Sequence, residues 1–168
     1  MCNIVSQVIG FVAFAISILA YHKNKKGKIL GNMVISNILN LIHYLLLGAY
    51  TGSITKIIAI FRDSFIILKD KNNKYNKSIF LYIFIVVYIT VAIITYKDIF
   101  SLLPLLAAII YLIPTWNGSK IIVKRTAFIC YFLWLAYNIF VFSLAGIVSN
   151  IVSLISTGIA VYNENKNK

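Results

Sequence analysis

Apolar positions run along this chain in seven long blocks, at about residues 4–22, 29–48, 54–69, 79–96, 99–116, 121–143 and 147–163, separated by short polar joints. Unbroken apolar runs of this length predict helices, and about 20 helical residues cross a hydrocarbon layer roughly 30 Å thick. The third and seventh blocks are short for that task, which predicts little tilt there and snorkelling of flanking groups such as Lys69. Pro104 and Pro114 fall inside the fifth block, where a lost backbone hydrogen bond favours a kink.

The charges lie in the joints, and they alternate. Lys23, Lys25, Lys26 and Lys28, then Lys69, Lys71, Lys74 and Lys77, then Lys120, Lys124 and Arg125, then Lys166 and Lys168 fall on one side of a seven-span chain, thirteen in all. The opposite side has only Lys97, while Lys56 and Arg62 sit inside the third block. Because cytoplasmic loops collect Lys and Arg, this asymmetry predicts an outer N-terminus and a cytoplasmic C-terminus. One span more or fewer would scramble it.

Composition supports the same class. Of 168 residues, 61% are hydrophobic and 12% charged, against roughly 25% charged in soluble domains; the mean hydropathy is +0.90. The net charge of +12 could suggest a nucleic-acid partner, but basic residues confined to joints between apolar runs fit the lipid bilayer as partner and exclude nucleic acid. The first block has no basic residue before it and no small-residue cleavage site after it, so it reads as a retained helix rather than a signal peptide. Cys2 and Cys130 have no ligand or disulfide spacing.

A shift of 94 residues lays blocks one to three on blocks five to seven without a gap, from Gly10 opposite Pro104 to Lys69 opposite Asn163. Eight of the sixty pairs are identical, among them Ala13/Ala107, Ile35/Ile129 and Gly52/Gly146. The stronger signal is that block boundaries, the basic first joint and the small second joint all coincide. A three-helix unit crosses an odd number of times, so one linking helix restores the orientation of the second unit. The predicted fold is therefore an all-α membrane protein of seven transmembrane helices: a three-helix repeat over residues 1–69, a linker over 70–98 with its span at about 79–96, and a second, parallel repeat with a short basic tail over 99–168.

Particular residues carry a family likeness along the whole chain. They are Ile9-Gly10-Phe11, the Lys-rich turn at 23–28, the run from His43 to Gly52 followed by Arg62, Ser101-Leu102-Leu103-Pro104, Trp134-Leu135-Ala136-Tyr137-Asn138, and the run from Ile151 to Ser156. In these the chain resembles the YgjV-type bacterial inner-membrane proteins, which implies multi-pass residence in the cytoplasmic membrane and a similar fold. A more distant likeness to sugar facilitators of the SWEET type and to vitamin transporters of that architecture implies a solute path between the repeats. The Pro-Gln pair of the related PQ-loop proteins is absent, since Pro104 precedes Leu105 and Pro114 precedes Thr115.

Polar residues inside the apolar blocks are the candidate chemistry. Asn37, Asn40 and Tyr44 recur at three and four residues on one face of the second helix, and their partners at the 94-residue offset are Tyr131, Trp134 and Asn138. Facing stripes of this kind across a repeat axis are where a transporter places its site, with amides for hydrogen bonds and aromatic faces for stacking on a sugar or heterocycle. The plainer reading is that such groups join helices. Block three adds Lys56 and Asp63 on one face, with Asn150, Ser153 and Thr157 as the neutral counterpart face in block seven. Lys56 reads as an interfacial residue that snorkels outward, whereas Arg62 and Asp63 sit deep enough to lock the fold or meet a solute. As neighbours in sequence they need not pair directly. His43 could shuttle a proton, but beside Tyr44 it reads more simply as a hydrogen-bond partner.

Catalysis finds little support: there is no convincing pair of acidic residues, no metal-like His, Cys, Asp and Glu cluster and no nucleophile elbow, and no cofactor is expected. The expectation is a facilitator or transporter of a small polar solute, with homo-oligomerisation left open. The competing class is a non-transporting membrane scaffold or regulatory partner.

Overall fold

The computed structural model describes residues 4–21, 26–117 and 120–166; Cys2, Lys23, Lys25 and Lys168 lie outside them, as do the side chains of Lys26, Lys120 and Lys124. Each apolar block forms a helix: α1 (Ile4–Tyr21), α2 (Lys26–Leu46), α3 (Tyr50–Lys71), α4 (Ser78–Ile94), α5 (Ile99–Asn117), α6 (Lys120–Phe140) and α7 (Leu144–Lys166). A 3-10 turn at Asn73–Tyr75 precedes α4, and the described residues contain no strand.

Helices α3 and α7 run on beyond their short apolar stretches, that of α7 being Leu144–Ile159. They have 22 and 23 residues, or about 33 Å at the rise of a helix. Backbone hydrogen bonding continues through the polar ends, which the apolar run alone does not mark. Helix α5 likewise runs unbroken past Pro104 and Pro114, where the hydroxyl of Thr115 donates to the carbonyls of Tyr111 and Leu112. Nor does Lys69 snorkel: it is buried, and its Nζ donates to the carbonyl of Trp116 at 2.5 Å. That satisfies a last-turn carbonyl of α5, the end of a helix that favours a cation.

The helices follow one another around a ring. α1 packs on α2, α2 on α3, α3 on α5, α5 on α6, α6 on α7, and α7 closes back on α1, while α4 lies outside against α5. Tyr88 is the buried residue of α4, and it joins Leu30, Ile58, Ile66, Leu105, Leu112 and Trp116 in the main apolar core. Outward faces are apolar too: Ile4, Phe61, Ile93, Ile113, Phe142 and Tyr162 are all exposed. Large apolar side chains facing out over so many helices suit a lipid solvent. By length and apolarity, Gly27–Leu46 and Ile99–Asn117 can cross a membrane, and Ile4–Leu19, Ser78–Ile94 and Leu144–Ile159 are shorter apolar helices.

Two turns are built alike, 94 residues apart. After α2, Ala49 N–H bonds Tyr44 O at 2.9 Å and Gly48 N–H bonds Leu45 O at 3.0 Å. After α6, Ser143 N–H bonds Asn138 O at 2.9 Å and Phe142 N–H bonds Ile139 O at 3.2 Å. Both are Schellman caps, which need one residue in the left-handed region. Gly48 takes it at φ 69°, and Phe142 takes it at φ 53°, where a side chain costs about 1–2 kcal/mol. Replacing Phe142 by Gly is therefore expected to stabilise the protein by about 1 kcal/mol, and Gly48→Ala to destabilise it by about as much. Denaturant unfolding of the two variants in detergent would check the opposite signs; equal signs would refute the assignment.

Candidate functional site

The stripes on α2 and α6 meet. Tyr44 donates its hydroxyl to Asn138 Oδ1 at 2.8 Å, and its ring stacks on Trp134 at 5.9 Å and meets Tyr137 edge-on at 6.1 Å. Asn138 is fully buried and donates Nδ2 to Trp134 O at 2.8 Å. These bonds join the two halves of the ring.

The helix N-termini beside this contact are also tied across it. Ala49 offers α3 no side-chain cap, so the free N–H of Gly52 donates instead to the Tyr137 hydroxyl of α6 at 2.9 Å. At α7, Ser143 accepts from Gly146 N–H at 3.0 Å, an N-cap of the usual kind. The Ser143 hydroxyl also lies 2.7 Å from Nε2 of His43 on α2, while Nδ1 of His43 lies 2.7 Å from Ser6 O on α1. From α1, Gln7 Oε1 accepts from Ala145 N–H at 2.9 Å. Close approach explains both glycines: a Cβ at Gly52 would sit 2.9 Å from the Tyr137 hydroxyl, and one at Gly146 would sit 2.2 Å from Asn138 Oδ1. His43 and Asn138 thus act here as helix joiners.

On α3, Arg62 and Asp63 pair directly, one of the arrangements their adjacency left open. Nε and Nη2 of Arg62 both lie 2.8 Å from Asp63 Oδ1, which leaves Oδ2 to accept from Asn37 Nδ2 at 3.2 Å. The guanidinium reaches the hydroxyl of Tyr88 on α4 at 3.5 Å and lies 5.4 Å from the Tyr111 ring on α5. A long flexible Arg can fold back along its own helix when lipid lies outside it. Four helices are thereby tied to one buried pair.

Lys56 does not snorkel outward either. Its ammonium sits 3.8 Å from the centre of the Trp134 ring and 6.0 Å from that of Tyr44, a cation–π contact across the two halves. It faces a cavity of about 160 Å³, well beyond the roughly 10–15 Å³ one water requires. The walls carry Asn37, Asn40, Tyr44, Lys56, Arg62, Asp63, Tyr131, Trp134, Asn138, Asn150 and Ser153, and the cavity extends along α2 and α6 to Leu30 and Ala127. Thr157 is absent from this wall, one turn past Ser153, and so is His43. A second hollow of about 560 Å³ between α4 and α5 is lined by Ile89, Ile93, Leu102, Leu106 and their apolar neighbours. It offers a polar solute almost nothing to bond.

Sequence reasoning missed Gln7, Ser6 and Ser143, whose roles depend on contacts more than 30 residues away. It also gave Cys130 no role. The thiol donates to Ala107 O at 3.3 Å, and Ser36, its partner at the 94-residue offset, donates to Ala13 O at 2.8 Å. The same offset could have found that pair.

An all-helical bundle with apolar side chains facing out and polar ones around an inner cavity defines an integral membrane protein. Over residues 4–168 the sequence matches the model of the Imp-YgjV family, described as bacterial inner membrane protein, and the chain belongs to that family. No curated protein and no solved structure matches it.

Removing one partner from a buried pair strands the other charge. Asp63→Ala is expected to cost about 3–5 kcal/mol of stability, and the double change Arg62→Met/Asp63→Leu to cost less than the sum of its single changes. Unfolding of Asp63→Ala, the double variant and its two single variants in detergent measures this; additive costs would rule out the coupling.

Proposed function

We propose that this protein is a facilitator or transporter of a small polar solute, with the chamber ringed by α1, α2, α3, α5, α6 and α7 as its binding site. The observation that carries the reading is the chamber itself: a partly open space walled by both halves and bearing polar and charged side chains, in a protein whose outer surface is apolar. A scaffold would be expected to fill its centre with packed side chains. All seven helices cross the membrane on this reading, as two parallel three-helix repeats joined by α4, with the chain entering from outside and ending in the cytoplasm. The like-built turns after α2 and α6, and the matched bonds of Ser36 and Cys130, support the repeat. No catalytic step is assigned. Among the described residues the one carboxylate on the chamber wall is Asp63, already held by Arg62 and Asn37.

The aromatic wall requires a revision of the expected chemistry. The Trp134 face that would stack on a sugar is covered by the Lys56 ammonium. Asn138 is likewise unsuitable as a probe of binding, because it joins helices. Ser153→Phe, which fills the chamber from α7, is the better probe.

Two measurements test the reading. Single cysteines at Lys97 and Lys74 are expected to label with a membrane-impermeant maleimide from opposite sides, Lys97 from outside intact cells and Lys74 only after permeabilisation. Labelling of both from one side would refute the topology. In proteoliposomes, a solute that stabilises the parent in a thermal-shift panel is expected to be taken up, and Ser153→Phe to abolish uptake while the variant still melts cooperatively. Absence of any binding solute, with Ser153→Phe inert, would favour the scaffold.

A further inference from the structure

The chamber carries an unbalanced charge. Its wall holds two cations, Lys56 and Arg62, and among the described residues one carboxylate, Asp63. Asp63 is consumed by Arg62, which places two nitrogens at 2.8 Å from one oxygen, and by Asn37 on the other oxygen. Lys56 has an aromatic ring at 3.8 Å and no carboxylate within ion-pair distance among the described residues. An ammonium has three N–H donors and no acceptor, and a ring face satisfies only its charge. Ionisable groups at membrane depth pair, or they face a water-filled cavity and mark a substrate or ion path.

The wall amides add a second requirement. Asn37 donates its Nδ2 to a carboxylate, Asn40 to Ser36 O and Asn150 to Gly146 O. Each of these partners accepts only, so the amide nitrogen must be the engaged end and the carboxamide oxygen the end left over. A bare inorganic anion would have Lys56 on one side and carboxamide oxygens on the others, which repel it. A solute with both a carboxylate and a hydroxyl answers both demands, and the size of the chamber restricts it to a few heavy atoms.

Resting on the transporter reading above, we infer that the chamber takes a small hydroxy-monocarboxylate, with Lys56 as the counter-charge to the carboxylate and the carboxamide oxygens as acceptors for the hydroxyl. The solute draws the ammonium off Trp134 as it binds, so Trp134 reports occupancy.

The test uses the full chain in detergent with L-lactate as probe, against propionate, lactamide, glycerol and sodium chloride at matched ionic strength. Melting temperature and, in a Trp116→Phe background, Trp134 fluorescence are read together. Lactate is expected to raise the melting temperature and change the fluorescence, with propionate weaker and lactamide weaker still. Lys56→Met is expected to weaken lactate binding about tenfold to a hundredfold, the usual size of a lost charge-assisted bond, while Lys56→Arg retains part of it. Should Lys56→Met fail to fold, Lys56→Arg and the fluorescence titration of the parent decide. Stabilisation by glycerol or lactamide but not by lactate would overturn the carboxylate assignment and leave the transporter reading standing. An equal response to chloride would overturn it in favour of an inorganic anion, and silence across these probes and the wider solute panel would remove both.

Discussion

Hydrocarbon offers a polar atom no partner, so in a bundle with lipid outside, polar side chains must turn inward and find one another. The buried Arg62–Asp63 pair is where that constraint acts hardest. An isolated guanidinium at such depth would cost several kcal/mol, and the structure meets the cost by surrounding it with groups from four helices: Asp63 on α3, Asn37 on α2, Tyr88 on α4 and Tyr111 on α5. Helix α4 touches the ring mainly through α5, and Tyr88 carries its one buried contact with this centre. The pair thus fixes the outer helix as well as the inner ones.

The helices were legible because lipid-facing and core-facing positions are both apolar, which leaves long uninterrupted runs that only a joint can end. Their ends were less legible. Tyr50 to Ser53 and the polar residues closing α7 are helical because backbone hydrogen bonding, rather than side-chain apolarity, decides where a helix stops. The stripes on α2 and α6 were readable from spacing and offset, and all six of their residues line one cavity. What spacing could not give was which of them were already engaged. Asn40 and Asn138 both line the cavity and both give the amide nitrogen to the carbonyl four residues back, yet the Asn138 oxygen is taken by the Tyr44 hydroxyl while the Asn40 oxygen is left over. The directions of Lys56 and Lys69 were missed for a related reason: a long side chain follows the nearest aromatic ring or free carbonyl, and both lay on distant helices.

Comparison at the 94-residue offset separates geometry from chemistry. The backbone bonds of the two turns agree almost bond for bond, and Ser36 and Cys130 make the same contact through different atoms. His43 and Tyr137 each reach from a central helix to a helix N-terminus of the other half, one to the Ser143 hydroxyl and the other to the Gly52 N–H. Charge does not follow this equivalence, since Lys56 stands opposite Asn150 and Asp63 opposite Thr157. Backbone requirements bind both halves equally, whereas one charge centre is enough for one chamber.

Most of the cross-half bonds gather at one end, while Lys69 to the Trp116 carbonyl lies at the other, where α3 and α5 finish. Tyr44 to Asn138, His43 to Ser143, Gly52 to Tyr137 and Ala145 to Gln7 lie where α2 and α6 end and α3 and α7 begin, while the cavity runs from there towards the starts of α2 and α6. On the transporter reading this is a chamber closed on the outer side. At about 0.5–1.5 kcal/mol net for each bond, opening that side costs roughly 2–6 kcal/mol. Micromolar binding is worth about 8 kcal/mol, so a solute that grips one state only modestly better could shift the balance. A clasp of four hydrogen bonds is strong enough to define a resting state and weak enough to be opened.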